Sequence, residues 1–424
     1  MLRKGLFYLF IFISLAGLAQ DKNQQKAPKP TPVRTLLKDA RTAIKNKRDQ
    51  KNKEKALFDA LKRDDISNAE KAEIYYTASA LEHSLNDQEN LKAYLKQKYD
   101  TANYYNTMLL SAQYALLCDS LDTLPNERGK IKAKYRSRNR EQILLYRPNI
   151  YLGGRFFLRK GDYKKAFDFM SMYSDFPRQM IISSHPKMQN DTLLRQSNYY
   201  AVFAAYNSKN PRKALHYIDR AISYADSAQS PVLQEYKVRC LQETQQTDSW
   251  LKELQAGVRD YPRHDYFFVN MAKYYEDNQM ADECIALADS MLEHVQDATI
   301  YWYSKSLMHL HKEEWLKSAE MAEIVLQREP EHINALYNMA VSYVNEASDC
   351  FINACTDVRD PRSKADREHI QQLYRKALHP SEEIRRLRPD AVNTWAPLLY
   401  RIYLNLNMGT EFSEMEKEMK ALKK

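Results

Sequence analysis

The chain has 424 residues, with 64 Lys and Arg against 55 Asp and Glu, giving a formal net charge of +9. Only 8 of its residues are Gly, which leaves few positions for phosphate-cradling loops or β-hairpin turns. The cationic surplus favours anionic surfaces, but its spread along the chain reads chiefly as solvated helix faces.

At the N-terminus, Arg3 and Lys4 precede an apolar run of 13 residues, 6–18, and Gly17-Leu18-Ala19 follows as a small-x-small cleavage site. Charge, apolar core and cleavage site in that order predict a secretory signal peptide over 1–19. A spanning helix needs roughly 20 residues, so the run is short for one; left uncleaved it would anchor the chain in the inner membrane. Leu15-Ala16-Gly17 looks like the start of a lipoprotein box, but Leu18 stands where the lipidated cysteine belongs. Removing residues 1–19 takes away two positive charges, so +9 falls to +7.

Residues 20–34, with Pro28, Pro30 and Pro32, read as a flexible linker. Residues 35–146 read as a helical N-terminal region of degenerate hairpins. Leu36, Leu37, Ala40 and Ile44, then Ala56, Leu57, Ala60 and Leu61, give weak apolar faces for one or two helices. Further helical segments are predicted at 68–85, 88–98, 101–122 and 126–147. Lys130, Lys132, Lys134, Arg136, Arg138 and Arg140 fall in the last, and their every-second spacing spreads charge around a helix.

Residues 147–424 read as a solenoid. The segment 147–178 carries Ile150, Gly154, Phe157, Gly161, Asp162, Tyr163, Ala166 and Pro177 in one register. Residues 179–196 break the period and read as a loop. Helix–turn–helix returns at 197–230, with Tyr200, Phe203 and Ala204 facing Ala214, Ile218 and Ala221. Four starts then follow at Pro231, Asp265, Thr299 and Ile333, each 34 residues from the last. Small residues recur at the eighth and twentieth positions: Ala272 with Cys284, and Ser306 with Ser318. Large ones (Phe268, Met271, Tyr275, Trp302, Leu336, Tyr343) fill the space between neighbours. A period near 34 is the mark of helix hairpins that stack, and small residues let the two helices of a hairpin approach. In the fourth repeat the spacing is stretched by an insertion at 346–370, and Pro380 must kink the second helix or mark its start. Residues 392–424 read as a capping hairpin with Trp395, Leu398, a turn at Gly409 and a charged end.

These positions resemble the tetratricopeptide repeat family, and in particular exported repeat proteins of the Bacteroidota. The resemblance implies an all-α fold, an α-α superhelix built as a solenoid of antiparallel helix hairpins. It also implies a concave groove lined by Tyr266, Val269 and Lys273 from one repeat, Ile300, Tyr303, Leu307 and Leu310 from the next, and Tyr337, Val341 and Val344 from the third. The last two sets are apolar and suit a peptide or helix. Their alternative fate is to be covered by the insertion or by the last hairpin. Some family members clamp a carboxylate with Lys and Asn in this groove, but Val269, Tyr303 and Leu307 replace those groups here.

Signals for chemistry are sparse. Cys118, Cys240 and Cys284 sit in apolar or packing positions. Cys350 and Cys355, five apart in the insertion, are candidates for a disulfide that pins an irregular loop. His309 occupies a packing position. No HExxH, GxSxG, P-loop or dinucleotide fingerprint occurs. The sequence therefore leads to a non-catalytic protein-binding scaffold in the periplasm, with a protein partner, no nucleic acid and no cofactor. A peripheral envelope association is compatible with the charge. Two alternatives stay open: a membrane-associated envelope assembly factor, and a helical enzyme or small-ligand-binding protein.

Overall fold

The computed structural model describes residues 30–125, 128–357 and 359–422, with side chains through 420. The expected signal peptide and most of the expected linker lie outside these residues. Contacts divide the chain into two compact units. Among the described residues, one comprises those up to Ile150 with Arg178–Ser184, and the other Tyr151–Pro177 with those from His185 on. The described residues form α-helices, two short 3-10 turns and no strand, so the fold is all-α.

In the first unit, α1 (Val33–Asn46) and α2 (Gln50–Leu61) form a hairpin against α3 (Asn68–Tyr94), which pairs with α4 (Thr101–Asp122). Leu37, Ala40, Leu57 and Ala60 from the weak apolar faces are buried with Ile74 and Leu81 of α3. A reciprocal cap starts α3: the Ser67 hydroxyl accepts from the Glu70 amide, and Glu70 accepts from the Ser67 amide. Ser79 and Ser111 are fully or nearly fully buried where α3 and α4 cross, each hydroxyl donating to the other residue's carbonyl at 2.8 and 3.0 Å. The expected break between 85 and 88 does not occur. Asn86 donates to the Tyr104 carbonyl across the hairpin, so the polar residues there are held by α4 and the helix continues.

The helix α5 (Arg136–Arg159) begins later than expected. Lys130, Lys132 and Lys134 precede it in irregular chain. The Tyr135 amide is instead fixed by the Asp122 carboxylate at 2.7 Å.

In the second unit the hairpins follow one another: α6 (Tyr163–Asp175), α7 (Leu193–Asn207), α8 (Pro211–Tyr224), α9 (Gln229–Glu243), α10 (Thr247–Asp260), α11 (Asp265–Asp277), α12 (Ala281–Leu292), α13 (Thr299–His311), α14 (Trp315–Arg328), α15 (Ile333–Asn353), α16 (Pro361–Leu387), α17 (Val392–Asn405) and α18 (Gly409–Leu422). Each packs on the next, and first helices also meet across repeats, α11 on α13, α13 on α15 and α15 on α17. That is nearest-neighbour stacking.

Small residues do the work their positions predict. A Cβ on Gly154 would stand 2.7 Å from the Met170 side chain, and one on Gly153 2.5 Å from the Phe169 ring. Ser306 donates to the Ser318 carbonyl at 3.0 Å, with both side chains fully buried. Asn338 of the next repeat donates to Ser306 at 3.1 Å. The period itself appears as contacts between residues 34 apart: Arg263 holds Asp297 with two nitrogens, and the Trp315 indole donates to Asp349 at 2.7 Å.

The intra-hairpin turns hold a feature without a sequence signal. Gln245, Gln279 and Glu313 all have φ of +58°, and they stand 34 apart. Gly161, with φ +70°, fills the corresponding turn in the earlier repeat. L-residues in this region cost energy that glycine avoids.

The stretched repeat is built of two lengthened helices, α15 and α16, joined by a short irregular link. Pro380 lies inside the continuous α16 and does not mark its start. Ala377, Ser381 and Ile384 are buried around it, so packing on both sides holds the helix through the missing hydrogen bond.

Candidate functional site

The ten expected groove residues lie on the first helices of three successive hairpins, α11, α13 and α15. Tyr266 is half-buried beneath the Arg239 guanidinium, 4.5 Å from its ring centre. Burial pushes its phenol up to about 12. Val269 is 46 % exposed, and Lys273 is exposed and paired with Asp277 at 2.6 Å. On α13, Ile300, Tyr303, Leu307 and Leu310 are all half-buried. The Tyr303 ring rests against His332, with centres 5.1 Å apart. On α15, Tyr337 is exposed and Val341 half-buried.

Val344 does not belong with them. It is fully buried, in a cluster with Ile370, Leu373 and Tyr374 of α16 and Leu398 and Ile402 of α17. The extra turns of α16 and the last hairpin cover that end of α15, so the accessible strip stops at Val341.

Cys350 and Cys355 are free thiols and form no disulfide. Cys350 faces the Glu346 carboxylate at 3.8 Å, and the Cys355 amide donates to Asp366 at 2.8 Å. The irregular link is thus held by a carboxylate where the sequence offered a covalent bond. Burial pushes the Cys118 and Cys240 thiols up to about 12 and Cys284 to about 11, leaving them unreactive fillers. His309 is buried against Glu314 at 2.6 Å, a structural pair. Among the described residues no group of three His, Cys, Asp or Glu side chains is placed to hold a metal ion. No described helix is long and apolar enough to cross a membrane.

Sequence reasoning missed a cavity of about 400 Å³ bounded by α14, α15 and α16. Its lining comes from three helices and a turn, so no single stretch of sequence announces it.

No family model and no curated protein matches the chain. Several solved structures are similar to it. One is the C-terminal part of a tetratricopeptide repeat protein of Cytophaga hutchinsonii, at 10 % identity over 62 % of this chain and 98 % of that one, with a TM-score of 0.36. Another is a tetratricopeptide repeat protein of Bacteroides fragilis, at 16 % identity over 65 % of this chain and 98 % of that one, with a TM-score of 0.29. A third is a tetratricopeptide domain pair of yeast Sti1 in complex with pHSP90, at 9 % identity over 76 % of this chain and 98 % of that one, with a TM-score of 0.24. These three similar structures are all of tetratricopeptide repeat proteins. At such scores the fold of this chain rests on its own helix pairing and 34-residue period.

Proposed function

We propose that this chain is a non-catalytic protein-interaction scaffold that holds a peptide or helix of a partner on the strip formed by α11, α13 and α15. The observation that carries this reading is the continuity of Ile300, Tyr303, Leu307, Leu310, Tyr337 and Val341, which are apolar yet incompletely buried on neighbouring helices. Such a strip gains free energy when a second apolar surface covers it. Residues 1–19 support export across the inner membrane, so the periplasm is the compartment we assign.

The test is site-specific photocrosslinking in the native cells from Leu307 and Val269, with the exposed Glu320 of α14 as control. One discrete partner captured from both strip positions, absent from the control and lost in Leu307→Asp, is the expected result. An internal link from Leu307 to residues 346–370, or capture equal to the control, would remove the strip from consideration.

A further inference from the structure

The cavity between α14 and α16 has a division of chemistry among its walls. Leu336 and Met339 of α15 form the floor, and Leu326 and Pro380 extend the apolar surface up both sides. One wall, on α16, presents Arg375, Lys376 and His379, all exposed. The facing wall, on α14, presents one acid, Glu323, and the amide of Gln327. Among the described residues Arg375 makes no ion pair, and Lys376 is engaged only by the Tyr343 ring, 5.4 Å away. The rim therefore sets two cations, Arg375 and Lys376, against the one carboxylate of Glu323, while His379 lies near Glu383.

A ligand complementary to these walls needs an apolar body with negative charge on either side of it, because Arg375 and His379 stand about one helical turn apart on the rim. A peptide with a large apolar side chain between acidic ones has that layout, whereas a hydrocarbon carboxylate carries its charge at one end only.

We propose that this cavity binds an acidic segment of a partner protein, taking one large apolar side chain onto Leu336 and Met339 while its flanking carboxylates meet Arg375, Lys376 and His379. This goes beyond the scaffold reading, because the cavity shares no residue with the α11–α13–α15 strip and the two can stand or fall separately.

The Met339 methyl group is the reporter. In the full chain labelled with 13C at methionine methyls, its resonance is followed against the blocked tripeptide acetyl-Glu-Phe-Glu-amide, its basic counterpart acetyl-Lys-Phe-Lys-amide, and decanoate. The acidic peptide shifts the resonance saturably, and the basic one binds at least about tenfold more weakly. Arg375→Glu with Lys376→Glu abolishes or reverses that preference, and as both residues are exposed the fold survives the change. Leu307→Asp leaves the titration unaltered, which keeps this result independent of the crosslinking. No shift with the acidic peptide at millimolar concentration, equal response to both peptides, or tighter binding of decanoate would each overturn the proposal.

Discussion

Glu82 of α3 is fully buried, and its neighbours explain how. Lys51 of α2 donates to Glu82 and, at 3.0 Å, to Glu54. Glu54 also hydrogen-bonds Glu82, and Tyr114 of α4 faces both acids with its own phenol pushed up by burial. One cation cannot neutralise two buried carboxylates, so Glu82, the more deeply buried of the two, holds its proton more tightly. Burial first, then the hydrogen bond to Glu54, raises Glu82 to about 8. Native Glu82 thus keeps a proton that the unfolded chain releases above about 4.5. Stability from this site is complete below the unfolded value and is lost as pH climbs through about 8. Glu82→Gln keeps the hydrogen bond to Glu54 without needing the proton. Thermal unfolding followed from about pH 5 to about pH 8.5 should show a fall in midpoint that is clearly smaller in Glu82→Gln. Identical pH slopes would show that native Glu82 does not hold its proton into this range.

Among the elements, the intra-hairpin turns are the strained places. Gln279 occupies a left-handed position that Gly161 fills elsewhere. Gln279→Gly should stabilise the second unit by up to about 1 kcal/mol, since the removed left-handed penalty of roughly 1–2 kcal/mol exceeds the added entropy of an unfolded glycine. A lower denaturation midpoint in the variant would mean that the Gln279 side chain contributes more than its backbone costs.

The same turns mark a limit of what the sequence conveys. Ser306, Ser318 and Gly154 were legible because close helix approach demands a small side chain, and composition records that demand directly. A left-handed turn filled by Gln or Glu leaves no such record. The length of α3 was missed for a related reason, since polar residues that would end an isolated helix are held by α4. For the strip, position within the repeat identified which helix face carries Tyr303, Leu307 and Val344. It could not say that α16 and α17 would cover Val344 alone, because that depends on the extra turns of a distant segment.

At the scale of the whole molecule, the second unit has no single centre. Its apolar clusters are strung along it, one around Phe267, Phe268 and Tyr301, one around Ala340, Tyr343 and Ile370, and one around Trp395, Leu399 and Met415. Stacks of this kind open from their ends, because a terminal hairpin is supported on one side only. Amide hydrogen exchange should be fastest in α18 and slow progressively through α17, α16 and α15 toward α13. A single common exchange rate for these helices would contradict nearest-neighbour coupling.

That arrangement also has a consequence in time. The contacts that close a hairpin join residues near in sequence, as with Ser306 and Ser318, and those to the next repeat span about one period, as with Asn338 and Ser306. Short closures cost little chain entropy and form early. A hairpin such as α11–α12 needs only its immediate successor to bury its remaining face, so the second unit can fold in the order in which its chain becomes free, one repeat behind the next.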